Sequence, residues 1–181
     1  MYFRLVAITM FLAILHPASS LAHAARPVAS TVSKPASNEL IPASLRKPAP
    51  DFTLTDVAGR SLTLSHYRGR VVLLDFWATT CGGCKVEIPW YVEFDRRYRN
   101  KGLALVGIDM YGETAGVIRP FMQKWNMDYP VAIGNDALGA RFGVQEMPLT
   151  LLIDRNGRIA VSHAGIVNKA EFESDIKALL Q

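Results

Sequence analysis

Residues 70–77 read "RVVLLDFW", a nearly unbroken apolar run with one acid, Asp75, inside it. A half-solvated strand alternates apolar and polar residues. This run does not, so it predicts a strand covered on both faces. The chain then passes through "ATT" into "CGGC", which holds its only two cysteines. Beyond them, "KVEIPWYVEFDRRYRN" places Ile88, Tyr91, Phe94 and Tyr98 on roughly one side of a helix, which Pro89 is expected to kink. A buried strand feeding a helix across a cysteine pair is the feature any fold must accommodate.

The flanking segments supply the layers this strand needs. "DFTLTD" and "RSLTLS" alternate around Asp56-Val57-Ala58-Gly59, as in a hairpin of two short strands. "LALVGID" (Leu103 to Asp109) predicts a second buried strand, and residues 113–126, with Val117, Phe121 and Trp125 spaced by four, a second helix. "YPVAIG" follows as a strand and "ALGARFGV" as a short helix ending near Gly143. "PLTLLIDRNGRIAVSHAG" reads as a hairpin turning at Asn156-Gly157, and "NKAEFESDIKALL" as an amphipathic helix capped by Asn168. The order implies an α/β fold: a central mixed β-sheet flanked by helices, with an extra N-terminal β-hairpin. The chain has 181 residues, half of them apolar, enough for one compact domain plus extras.

One extra lies at the start. Met1 and Arg4 precede an apolar core from Leu5 to Leu15, then His16-Pro17 and the small-x-small pattern Ala22-His23-Ala24. That core is about half the roughly 20 residues that cross a bilayer, so residues 1–24 read as an export signal cleaved after Ala24, with an uncleaved anchor as the alternative. Residues 25–47, rich in Ala, Ser and Pro, are expected to form a disordered leader, and residues 48–181 the folded domain. The chain has 20 Lys+Arg against 16 Asp+Glu, so without Arg4 the mature protein is only mildly basic. Its densest cationic cluster is Arg96, Arg97 and Arg99 around Tyr98. A nucleic-acid reader would carry a stronger basic stripe, so this cluster reads as a solvated helix face.

Export decides what the cysteines can do. A disulfide closing so short a loop restrains the unfolded chain little, so the pair makes a poor staple. A metal site would need two more ligands, and His66 and His163 sit in separate segments. Thiol–disulfide exchange fits better. It needs a thiolate, and a strand running straight into a helix puts Cys81 at the helix N-terminus, where unpaired N–H groups and the dipole favour an anion. Cys81 is therefore the expected nucleophile. Cys84, one turn further in, would resolve the mixed disulfide. Asp75, an acid inside an apolar strand, is the first candidate to accept the Cys84 proton. Glu87, three residues after Cys84 on the same helix face, is the second. The bland alternatives are an exposed acid at a strand edge for Asp75 and a solvated helical carboxylate for Glu87.

"VVLLDFWATTCGGCKVEIP", followed much later by "VQEMPLTLLIDRNGRI", resembles the thioredoxin superfamily, and within it the exported TlpA/ResA-like thiol–disulfide oxidoreductases, over roughly Pro48 to Leu180. The resemblance aligns Asp75 with the buried aspartate of thioredoxins and Glu87 with the acid that ResA-like proteins carry near their active site. It implies a cis peptide before Pro148, facing the disulfide, with Met147 touching both disulfide and substrate. Thr80, Gly82 and Gly83 complete the implied substrate contacts. Two positions depart from the pattern: Thr80 stands where many relatives have tryptophan, and Gly83 replaces a common proline, adding an N–H donor near Cys81 while loosening the loop. The implied activity is reduction of exported client proteins, such as apocytochrome c or copper-delivery proteins, with electrons from a membrane donor protein. No cofactor beyond the Cys81–Cys84 disulfide is implied, and the protein is expected to be a monomer. Two other readings compete. Peroxiredoxin-like peroxide reduction would need a hydroxyl three residues before the attacking cysteine, where Ala78 stands. A non-enzymatic copper-binding assembly factor would need a wider cysteine spacing and a dedicated histidine, for which only His163 offers itself.

Overall fold

The computed structural model describes residues 40–181. The expected signal segment and residues 25–39 of the expected leader lie outside them.

The apolar run forms β3 (Val71–Trp77), buried along its whole length, and "LALVGID" forms β4 (Leu103–Asp109) in parallel beside it. Ahead of them β1 (Thr53–Thr55) and β2 (Ser61–Thr63) pair as the separate antiparallel hairpin expected. After them come β5 (Val131–Ile133), β6 (Leu149–Ile153) and β7 (Ile159–Ala164). The main sheet has the order β5-β4-β3-β6-β7, mixed in direction, so β3 is its central strand. Helices α1 (Gly82–Tyr98), α2 (Ala115–Trp125), α3 (Asp136–Phe142) and α4 (Lys169–Leu180) complete the chain.

Side chains of β3 alternate between two cores. Val71, Leu73 and Trp77 pack with α1, Ile118 of α2 and α4; Val72, Leu74 and Phe76 pack with the hairpin and α3. The predicted inner face of α1 is correct, with Ile88, Tyr91, Phe94 and Tyr98 all buried. That of α2 is rotated. Ile118 is its buried residue, whereas Val117 is 51% exposed and Phe121 and Trp125 are half-buried, stacked on each other with Phe121 also tilted against Trp77. Residues spaced by four drift around a helix of 3.6 residues per turn, so such a stripe need not face the core. Gly107 makes room for the Trp77 indole, since a Cβ there would lie 2.9 Å from its Nε1.

Two further expectations change. The β6–β7 turn is a three-residue loop, closed by Gly157 N–H to Asp154 O and Asp154 N–H to Arg158 O, both 2.8 Å, with Gly157 at φ 71°. The leader is ordered from Leu40, well before residue 48. Ile41 N–H donates to Ala160 O (2.9 Å), Ile159 N–H to Lys47 O (2.8 Å) and Ala49 N–H to Gly157 O (3.0 Å). These residues lack a core pattern, but the edge strand β7 offers them unpaired backbone groups. The cluster Arg96, Arg97 and Arg99 is matched by carboxylates: Arg96 with Asp128, Arg97 with Glu93 and Glu173, Arg99 with Asp95.

Candidate active site

The cysteines fall where β3 gives way to α1. Cys81 is the N-cap of α1 and is bonded to Cys84, with the Cα atoms 5.3 Å apart. Cys81 is partly exposed and Cys84 is buried. The N–H that reaches Cys81 Sγ, at 3.1 Å, is that of Cys84; Gly83 had been the expected donor. Gly83 serves another purpose. A Cβ there would lie 3.0 Å from Pro148 Cδ and 3.3 Å from Ile166 Cγ1, so glycine lets two loops close on the disulfide. Thr80 and Gly82 are exposed beside it.

The Met147–Pro148 peptide is cis. Met147 packs against the same apolar cluster as Cys81 and Cys84, and Pro148 is buried next to Gly83.

Two buried acids lie on the strand before the pair and on the helix that carries Cys84. Asp75, on the central strand, is 1% exposed and sits opposite Thr150 in the β3–β6 ladder, its Oδ1 without a partner. Burial, reinforced by the charge of Glu87, pushes its carboxyl well above the ordinary range. Glu87 is wholly buried; its Oε1 accepts the Val167 N–H at 2.7 Å and its Oε2 has no partner. Burial raises it to about 7, against the lowering pull of that N–H. Neither acid is the solvated or strand-edge group of the bland alternatives. Tyr91 stands over the pair, its hydroxyl 2.8 Å from Thr150 Oγ1. Among the exposed apolar residues, Ile166 lies against Gly83, Val86 is on α1 just past Cys84, Val117 shares a groove with Thr79 and Lys85, and Tyr111 follows Met110, whose N–H donates to Trp77 O at 2.9 Å. His163 is half-buried on β7, its Nε2 3.2 Å from Ile166 O, and His66 is exposed in the turn after β2.

Sequence reasoning missed Val167 as the partner of Glu87, and a second acid pair, Asp109 and Glu113. Asp109 was open to the argument applied to Asp75, an acid closing an apolar strand. No local signal marks Val167, which contributes only its backbone.

A helix-capping disulfide beside a cis-proline, on a mixed sheet of this order, defines a thioredoxin-like oxidoreductase. The comparisons with known proteins agree. The model of the AhpC/TSA family matches residues 45–162. Thiol-disulfide oxidoreductase ResA of Bacillus anthracis is 32% identical over 135 residues, covering 74% of this chain and 77% of the relative. Thioredoxin-like protein YneN of Bacillus subtilis is 31% identical over 130 residues, covering 71% and 76%. A thioredoxin-family thiol:disulfide interchange protein of Chlorobium tepidum superposes with TM-score 0.69 at 26% identity, over 75% of this chain and 97% of that one. The chain therefore belongs to the AhpC/TSA family of the thioredoxin superfamily, as a thiol–disulfide oxidoreductase of the ResA type.

Proposed function

We propose that the protein is an exported reductase that opens disulfides of client proteins through its CGGC pair. The observation that carries this reading is the asymmetry of the sulfurs: Cys81 partly exposed at a helix N-terminus, Cys84 buried, with two buried acids of raised proton affinity on the strand before it and the helix after it. In the dithiol form the Cys81 thiolate attacks a client disulfide, its S–S bond breaks, and one client sulfur leaves and takes a proton. Cys84 then gives its proton to Asp75 or Glu87 and attacks Cys81 in the mixed disulfide. The second client sulfur departs, and two electrons have passed from protein to client. Met147 packs on the same apolar cluster as Cys81, and an extended client segment would lie along it. The apolar rim of Val86, Tyr111, Val117 and Ile166 suits unfolded cysteine-bearing segments, such as those of apocytochrome c or copper-delivery proteins. Return to the dithiol needs a dithiol donor, which for an exported protein is a membrane electron carrier. The signal-like pattern of residues 1–24 and the ResA-type relatives support export to the periplasm. Peroxide reduction is disfavoured by Ala78, which offers no hydroxyl.

Insulin reduction and client trapping test the reading. Cys81→Ser is expected to abolish turnover, and Cys84→Ser to accumulate a mixed disulfide. Asp75→Asn should slow release of that intermediate more than the first attack. Normal turnover by Cys84→Ser would refute the two-sulfur mechanism.

A further inference from the structure

Asp109 closes β4 and is wholly buried, on the strand next to β3. Its Oδ2 accepts the Glu113 N–H at 2.9 Å, while its Oδ1 has no partner. Glu113 in turn reaches back over the end of the sheet. Its Oε2 accepts the Thr79 N–H at 3.0 Å and its Oε1 accepts the Thr79 hydroxyl. Thr79 belongs to the turn closed by Cys81 N–H to Ala78 O at 3.1 Å. Both donors of the residue two before Cys81 thus end on one carboxylate.

A neutral amide could still tie this turn, its oxygen accepting the Thr79 N–H and its NH2 donating to the hydroxyl, so a carboxylate adds something the tie alone does not: charge. Burial opposes that charge, but the two Thr79 donors, the Asp109 carboxyl and the Lys85 cation together outweigh it and hold Glu113 below its ordinary range. Burial raises Asp109 instead, so of the two acids Glu113 is the one that keeps its charge. Lys85, in the first turn of α1, acts on Glu113 as the neighbouring cation, and Lys124 of α2 lines the same groove as Thr79 and Lys85.

We propose that Glu113 is a positioning residue that pins the turn before Cys81 and, as an anion fixed to the residue two before that sulfur, favours the disulfide over the dithiol and so makes the pair a stronger reductant. The helix N-terminus draws negative charge onto Cys81, and Glu113 opposes it. The inference rests on the exchange reading above and adds what sets the strength of the pair.

The test equilibrates the whole protein with a glutathione series and follows alkylation of Cys81 against pH. Glu113→Gln keeps an acceptor for Thr79 and loses the charge. It should move the equilibrium toward the dithiol by about three- to tenfold, tenfold being about 30 mV for this two-electron couple. The pH midpoint of Cys81 alkylation should fall with it. Thr79→Ala, which keeps both the N–H and the anion, should leave the equilibrium within about twofold of the parent. An unchanged equilibrium in Glu113→Gln, with normal thermal melting, would overturn the proposal and leave Glu113 a structural anchor. If Glu113→Gln melts early, Lys85→Gln supplies the opposite charge change, and it must shift the equilibrium toward the disulfide. A parent protein that fails to exchange with glutathione would instead overturn the exchange reading, and this inference with it.

Discussion

Glu87 carries a proton near neutrality because its burial outweighs the Val167 N–H and the Tyr91 hydroxyl that favour its charge. Its ordinary value is 4.5, and the fold raises it to about 7. Between those values the native state binds a proton the unfolded chain has released. Its contribution is thus complete below the ordinary value and is lost as pH rises through 7, about 3 kcal/mol in all. The urea midpoint should therefore fall from pH 5 to pH 8, and Glu87→Gln should flatten that slope; an unaltered slope in the variant would contradict this account. In the proposed mechanism the same proton also gives a kinetic signature, since an unprotonated Glu87 or Asp75 would receive the Cys84 proton during client release. At this scale the sequence was most legible where one residue's chemistry was anomalous in its own segment. Asp75 inside "VVLLDFW" announced its burial, and the cysteines announced their partnership. Glu87 was ambiguous, because nothing in "KVEIP" says that Val167 will close over it. The Thr79–Glu113 tie joins two segments and left no local mark.

Elements were legible to the extent that their own residues fix their limits. α4 begins where Asn168 caps it, accepting the N–H groups of Ala170 (3.0 Å) and Glu171 (3.2 Å). Asn168→Ala should cost about 1 kcal/mol of stability, read as a lower urea midpoint with an unchanged slope. The residue before the cap is Val167, so the cap also steadies the N–H that holds Glu87. The variant should accordingly alter the pH dependence of client release, and a normal profile would uncouple cap from site. α2 was legible in extent but not in rotation, because its stripe serves the rim of the active site and the flank of Trp77 rather than the core. The β6–β7 turn kept its Gly157 but gained a residue, since Asp154 Oδ1 accepts the N–H groups of Asn156 (3.0 Å) and Arg158 (2.9 Å) and stabilises the wider loop.

At the scale of the whole molecule, the layering followed from β3 alone: a strand without alternation had to be sandwiched, and it is central. The start of the domain did not, because residues 40–49 are held by an edge they find in space. Arg46 locks that segment, donating to Ile41 O at 2.8 Å and pairing with Asp154 at 3.1 Å, both side chains little exposed. Arg46→Ala should cost about 2 kcal/mol, less than a fully buried pair, because Asp154 keeps its turn bonds. It should also free the β7 edge, read as self-association at high concentration by light scattering; a variant as stable and monodisperse as the parent would refute the lock. This segment has one more consequence. It joins the sheet around Ile159 and Ala160, beside the end where β3 begins, whereas the disulfide stands where β3 finishes, about 20 Å along the strand. The described chain thus enters at one end of the sheet and its working sulfur stands at the other, like the bit at the far end of a drill.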